Sequence, residues 1–166
     1  MVVATPKKKS EAYGDRAVAQ NRAASYNYHI LDRFEAGMAL LGTEVKAVRE
    51  GKANLRDAYA EVRGGEVWLV NCHIPEYTSG GPWNHGPLRT RKLLLHKEEI
   101  ARLAGKTEQK GLTLIALRIY FKGGRAKCEI ALARGKKEHD RRAAIKERDT
   151  KREAAEEMRN FNKNNS

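Results

Sequence analysis

In two places this chain sets a pair of alternating apolar runs on either side of a Gly-Gly link. AYAEVR and EVWLVN flank Gly64-Gly65, and LTLIALRIYF and AKCEIALAR flank Lys122-Gly123-Gly124-Arg125. A two-residue Gly link between alternating runs is a strong β-hairpin signal, because the favoured hairpin turns need positive φ at their centre. In the last run Ala126, Cys128, Ile130 and Leu132 share one face, with Lys127 and Glu129 on the other. A third β-rich stretch, YNYHILDRFEAGMALL (26–41), is broken by Gly37, which suggests a bulge or sharp bend. Short antiparallel strands with bends fit a small barrel better than a sandwich. No strand–helix–strand alternation points to a parallel α/β fold.

Two short helices complete the set. In EVKAVRE, Thr43 is a plausible N-cap, Glu44 suits the positive end of the helix dipole and Gly51 is a stop. A second helix is expected from about His96 to Gln109, with Leu95, Ile100, Leu103 and Ala104 near one face. Residues 75–91 hold Pro75, Pro82, Pro87, Gly80, Gly81 and Gly86, a long loop of the kind that is functional or mobile.

Charge divides the 166 residues into three parts. Residues 1–20 have four basic and two acidic residues and almost no large apolar side chain, which reads as a disordered basic arm. Residues 21–133 hold nearly all the aliphatic bulk at net +6. Residues 134–166 have 11 basic and 7 acidic residues, and their large apolar side chains are Ile145, Met158 and Phe161. Ordering such a tail costs about 1–2 kcal/mol per residue, more than its own burial returns. It is either disordered alone or folded against something else. Opposite charges at Glu138–Arg142, Glu147–Lys151 and Arg152–Glu156 favour a conditional helix.

The net charge of +12 calls for a polyanionic partner, with nucleic acid ahead of an anionic membrane. No run approaches the roughly 18–20 apolar residues of a membrane span. Lys7, Lys8 and Lys9 precede no apolar stretch, against a secretory signal. Cys72 and Cys128 lie outside any CxxC and read as reduced, buried thiols, so a cytoplasmic protein is expected.

Catalytic constellations are missing. No HExxH, GxSxG or Walker sequence occurs, and Cys72 and His73 on one strand end point to opposite faces, which is poor for a shared metal. No metal, cofactor or enzymatic activity is expected. Glu35 and Glu44 could pair as carboxylates or be spent on a cap or an arginine. Arg89, Arg91 and Lys92 punctuate the end of the long loop, and aromatics stand near other basics, with Tyr26 and Tyr28 after Arg22. Cations for phosphate and flat rings for unstacked bases are the usual equipment for RNA. Tyr59 and Trp68 are expected in the core. Tyr28 and Trp83 are open between core and stacking roles.

The stretch FEAGMALLGTEVKAVREGKANLRDAYAEV resembles the signature region of the small protein B family, the SsrA-binding proteins of bacterial trans-translation. NRAASYNYHIL (21–31), PLRTRKLLLHKEEI (87–100) and ARGKKEHDRRAAIKERD (133–149) are similar to further blocks of that family, in its order and spacing. The resemblance implies a mainly β fold, a closed six-stranded antiparallel OB-like barrel over residues 21–133 with short flanking helices. A basic C-terminal tail, disordered or helical, follows over 134–166. It implies a non-catalytic adaptor that binds the tRNA-like domain of tmRNA near its elbow and enters ribosomes stalled on mRNA without a stop codon. The tail would occupy the empty mRNA channel and reach the 16S rRNA decoding centre. Elongation factor Tu and alanyl-tRNA synthetase would be partners indirectly, through charged tmRNA.

Carried over residue by residue, the resemblance assigns tmRNA binding to Asn21, Tyr28, Glu35, Gly37, Glu44, Lys52, Asn54, Arg91, Leu94, His96 and Lys127. It assigns ribosome binding to Gly135, Lys136, Lys137, His139, Asp140, Arg141, Arg142, Lys146 and Arg148. The imidazole of His139 could stack on a nucleobase. Arg141 stands where Lys is common, and Thr150 where an aromatic often follows, so stacking at 150 is not implied. The loop 78–85 is atypical in its glycines and receives no role. The alternatives to an adaptor are a ribosomal-type structural RNA-binding protein and an RNA-processing enzyme using Glu35 and Glu44 with Mg²⁺.

Overall fold

The computed structural model describes residues 17–109 and 111–164. The elements run β1 (Ala17–Gln20), α1 (Ala24–Asn27), β2 (Tyr28–Met38), α2 (Gly42–Arg49), β3 (Tyr59–Arg63), β4 (Glu66–Val70), β5 (Arg91–Leu94), α3 (Lys97–Thr107), β6 (Leu112–Lys122), β7 (Arg125–Gly135) and α4 (Glu138–Asn164). The protein is thus mainly antiparallel β with short helices and a C-terminal helix. The strand order is β1-β6-β3-β4-β5-β2-β7, and β6 also pairs with β7. Each strand from β2 to β7 therefore has a neighbour on both edges, which removes the open edges that invite aggregation.

Both Gly-Gly links form the expected hairpins. Gly64 and Gly65 have φ of 58° and 76°, Gly123 and Gly124 of 58° and 75°, the signature of type I′ turns. The register bulge in β2 falls between Ile30 and Asp32, not at Gly37. Gly37 instead has a strand on each side, opposite Lys127 of β7 and Leu94 of β5. A Cβ there would stand 3.3 Å from the Cβ of Leu94, so the absent side chain lets β5 close in.

Other boundaries moved. The final four residues of the expected N-terminal arm form β1 against β6, and residues 1–16 lie outside the described residues. The short α1, of which the sequence gives no cap or period signal, precedes β2. In α2 the N-cap is Leu41, not Thr43, and Glu44 reaches back to accept the Leu41 N–H at 2.9 Å. No Ser or Thr is needed at the N-cap, because the Glu44 carboxylate at N3 takes the N-cap N–H.

The main core holds Phe34, Leu69, Leu93, Leu103, Leu114, Ile119, Ile130 and Leu132. A second, smaller cluster lies on the opposite face of β6 and β7, where Ile115, Leu117, Ala131 and Ala133 pack with Ala24 of α1. Burial on both faces explains why LTLIALRIYF reads as a near-continuous apolar run and not as a clean alternation. Tyr59 and Trp68 were expected inside. Alternation in the first hairpin holds, but Ala60, Val67 and Leu69 take the inner face, leaving Tyr59 exposed and Trp68 half-buried. Cys72 and Cys128 are free and buried, and burial pushes the Cys72 thiol up to about 11.

Leu132 is buried in the shared strand β7, whereas Leu31 at the β2 bulge is 52% exposed. Leu132→Ala should therefore cost about 2–5 kcal/mol, and Leu31→Ala within about 0.5 kcal/mol of nothing. Urea unfolding of both variants checks this, and similar losses would contradict the placement of the core.

Candidate nucleic-acid interface

On the outer face of β2, β6 and β7, charged side chains are linked in series. Glu35 and Glu129 are direct cross-strand partners on β2 and β7, a like-charge pairing that is unfavourable by itself. Each carboxylate is neutralised separately. Glu129 accepts from Arg33 at 3.1 Å and from Arg118 Nε at 3.1 Å. The Arg118 guanidinium lies over the Tyr120 ring, 4.5 Å from its centroid. The Tyr120 hydroxyl donates to Glu35 Oε2, and the Lys122 ammonium is 3.6 Å from the same oxygen. Burial acts to raise the Glu35 carboxyl, but the Tyr120 hydroxyl and the charges of Lys122 and Lys127 outweigh it. They hold Glu35 below its ordinary value. Burial first, and the bond to Glu35 second, push the Tyr120 phenol up. Glu35 is thus an ionised acceptor whose orientation is fixed by Tyr120.

Beside this network runs a shallow groove. Gly37, Met38, Leu40, Val45, Leu94, Phe121, Arg125 and Lys127 line it. Three expected RNA-binding residues, Gly37, Leu94 and Lys127, meet here. Leu94 is 53% exposed although it is a leucine on a strand. Its neighbours on β5, Arg91 and Leu93, point inward, so the strand's alternation turns Leu94 out. Arg49 adds a cation over the Phe121 ring at 5.6 Å. Apolar floor, cationic rim and an adjacent fixed carboxylate are suited to an unstacked base with its phosphates.

Glu44 and Arg91, expected to contact RNA, are both fully buried and ion-paired to one another. As folded, neither side chain reaches the surface. Glu44 Oε1 also accepts from Arg89, while Arg91 donates to the carbonyls of Cys72 and, at 3.2 Å, of Pro87. Burial would raise the Glu44 carboxyl, and hydrogen bonds from Arg89, the Leu41 N–H and Arg91 override it to a net lowering. Glu44 is fully committed to two guanidinium groups, so its role is that of an arginine partner, not a carboxylate paired with Glu35. Among the described residues no cluster of His, Cys, Asp and Glu could hold a metal ion.

The remaining expected residues are dispersed. Asn21 is a joint between β1 and β6, its N–H donating to Leu117 O at 2.7 Å and its amide to Ala116 O at 3.2 Å. Tyr28 packs half-buried on the second cluster. Exposed Lys52 pairs with Glu50 at 2.8 Å. Asn54 accepts the Arg56 N–H at 2.9 Å and bridges His73 through its backbone. His96 is the exposed N-cap of α3, its N–H accepted by Glu99 at 3.2 Å.

In the tail, Gly135 ends β7 opposite Tyr28. Lys136 donates its N–H to Asn27 O at 2.8 Å and its ammonium to Ser25 O at 2.9 Å, which docks the start of the tail on α1. Lys137, Arg142, Lys146 and Arg148 are exposed. The side chains of Glu138, His139, Asp140 and Arg141 lie outside the described residues, and with them the expected stacking of His139. Sequence reasoning missed Arg118, Tyr120, Phe121 and Arg125. Tyr120 was hidden because a tyrosine inside LTLIALRIYF reads as core, and the cross-strand register that puts it beside Glu35 is not local.

Glu44→Gln and Glu44→Ala test the buried pair. Removing one partner of such a pair should cost about 3–5 kcal/mol, as for Arg91→Ala. A lowered folded-state pKa contributes stability that is complete above the unfolded value and is lost as pH falls through the folded value. The wild type should therefore lose stability on acidification below about pH 4, from this group among others, and Glu44→Gln should show a shallower acid limb in thermal unfolding. An unchanged acid limb would contradict the assignment.

Comparison with known proteins gives a consistent result. The SmpB protein family model matches residues 18–160. An SsrA-binding protein of Thermobifida fusca is 55% identical over 157 residues, covering 95% of this chain and 98% of the relative. One of Frankia casuarinae is 57% identical over 145 residues, covering 87% and 91%. A solved structure described as "tmRNA-SmpB: a journey to the center of the bacterial ribosome" superposes with a TM-score of 0.62 at 52% identity, covering 72% of this chain and 84% of its own. With the match spanning both the β body and most of α4, this chain belongs to the SmpB protein family.

Proposed function

We propose that this chain is a non-catalytic RNA-binding adaptor that binds the tRNA-like domain of tmRNA and carries it to stalled ribosomes for trans-translation. The observation that carries this reading is the convergence of Gly37, Leu94 and Lys127 on one groove beside the Tyr120-oriented Glu35. The names of the relatives, which are SsrA-binding proteins, and the solved tmRNA–SmpB structure support it. We read the ring of strand pairings as a closed six-stranded OB-like barrel, supported by the return of β7 to β6. Such barrels bind nucleic acid on an outer strand face.

In this reading Lys122, Arg125 and Lys127 neutralise phosphates, and Leu94 and Phe121 supply apolar contact for a base. Glu35 Oε2 is occupied by Tyr120 and Lys122, so Oε1 accepts from a base amino group. A carboxylate at an RNA face fits this reading, since Lys122 and Lys127 would screen it from phosphate. Glu44 and Arg91 act indirectly, by holding β5 and hence Leu94 in position. The tail, from Lys137 onward, enters the empty mRNA channel and reaches the decoding centre. Charged tmRNA links the adaptor to alanyl-tRNA synthetase and elongation factor Tu, and the setting is the cytoplasm.

The test is a gel-shift titration of a tRNA-like-domain transcript. A chain ending at Lys137 should bind with nearly the affinity of the full chain, keeping Lys136 docked on α1. Log affinity should fall with log salt by roughly 0.7–0.9 per phosphate neutralised. Lys127→Ala should lower that slope by about one unit, and Gly37→Ala should weaken binding by displacing exposed Leu94 with little loss of stability. Loss of binding on removing the tail, or full affinity in both variants, would sink this division of labour.

A further inference from the structure

The loop 76–86, which carries no role so far, is cross-bonded at its base and carries one large exposed side chain. Trp83 is 86% exposed at the end of a single 3-10 turn, Gly81–Trp83. The residues beside it are hydrogen-bonded. Asn84 clamps the loop across its base: its Oδ1 accepts the Tyr77 N–H at 2.8 Å and its Nδ2 donates to Tyr77 O at 2.7 Å. Gly80 allows that clamp, since a Cβ at 80 would stand 2.7 Å from Asn84 Nδ2. The next residue, His85, is buried, with Nε2 donating to Ile74 O at 2.8 Å and Nδ1 2.8 Å from the Thr43 hydroxyl at the start of α2. Tyr77 is held from the other side by the Lys46 ammonium, 5.3 Å from its ring centroid.

A large apolar ring left in water at the tip of a loop whose neighbouring residues are hydrogen-bonded in place needs an explanation. Hot-spot aromatics on preordered loops bind with little loss of conformational freedom. The partner must be flat and apolar on its face, and it must come with negative charge, because the cation Lys46 stands at the loop's foot and the whole chain is net +12. A nucleobase meets both conditions. The loop and the groove described above also share a neighbour in α2, which lends Val45 to the groove wall and Lys46 to the loop. Resting on the adaptor reading, we propose that Trp83 stacks on an unpaired base of the tRNA-like domain of tmRNA, as a second contact beyond the Gly37–Leu94–Lys127 groove.

The experiment uses the full chain and a tRNA-like-domain transcript as the probe, with Trp83→Ala and Trp83→Phe beside the wild type. Stacking on a base quenches indole fluorescence. Saturating transcript should quench the wild type well beyond Trp83→Phe, whose signal comes from Trp68 alone. Loss of one base–aromatic stack should weaken binding of Trp83→Ala roughly 5- to 150-fold, with Trp83→Phe in between. The exposed position makes misfolding of these variants a poor explanation, and unchanged unfolding midpoints confirm that. Equal affinity of all three chains with equal quenching overturns the stacking proposal while leaving the adaptor reading intact. Quenching on 70S ribosomes but not on the transcript also overturns it, by assigning the ring to rRNA. Failure of the wild type to bind the transcript at all overturns the adaptor reading first, and the stacking proposal with it.

Discussion

The surface of this protein depends on a carboxylate that never reaches it. Glu44, in the first turn of α2, joins the Leu41 N–H, Arg89 and Arg91, and through Arg91 the carbonyls of Cys72 and Pro87. The entry to α2 is thus joined through one largely buried ion cluster to the stretch from Cys72, just after β4, through the long loop to the start of β5. Desolvating such charges costs several kcal/mol per ion, so the cluster is poor evidence of net stability against an apolar alternative. Its consequence is positional. It fixes the inward Arg91 of β5, and the alternation of that strand then turns Leu94 outward into the groove. The same α2 anchors the loop that carries Trp83. The cluster therefore ties the groove and the Trp83 loop to one buried centre.

The outer face solves the opposite problem, since it must keep a carboxylate available among cations. Glu35 and Glu129 face one another across β2 and β7, and each is given its own counter-charges. Arg118 serves both halves, bonding Glu129 while stacking over Tyr120, which in turn bonds Glu35. The outcome is a directional acceptor embedded in positive charge. A free glutamate at that place would repel phosphate, and a glutamate ion-paired on both oxygens could read nothing.

What could be read from sequence was whatever local pattern determines. The two hairpins were legible because Gly-Gly between alternating runs leaves few other structures, and both turns have the positive φ values they require. The outward face of the last strand was legible from a period of two, and Glu129 and Lys127 lie where that period puts them. Legibility ended where long-range contact decides. Tyr59 and Trp68 look like core residues because they are large and apolar, yet the inner face of the first hairpin is filled by Ala60, Val67 and Leu69. Thr43 looked like a cap, but Glu44 took that function and Thr43 was used instead on His85, 42 residues away. Glu44 and Arg91 carried family motifs, and a motif marks that a residue matters without saying whether it touches the ligand or holds what does.

The tail follows a different economy from the body. From Ile145 to Asn164 every residue of α4 is exposed, so no packing offsets the entropy of ordering it. Its helicity rests on propensity and on pairs such as Glu147–Lys151 at 3.0 Å, each worth only about 0.2–0.5 kcal/mol. What the body does fix is the point of departure. Lys136 directs both its N–H and its ammonium to carbonyls of α1, Asn27 O and Ser25 O, and so anchors the start of the tail. In the proposed role, an anchored origin followed by a marginal helix would suit a segment entering a channel of fixed direction: the origin limits the search to a cone, and the low cost of unfolding the helix would let its cations adjust to phosphates.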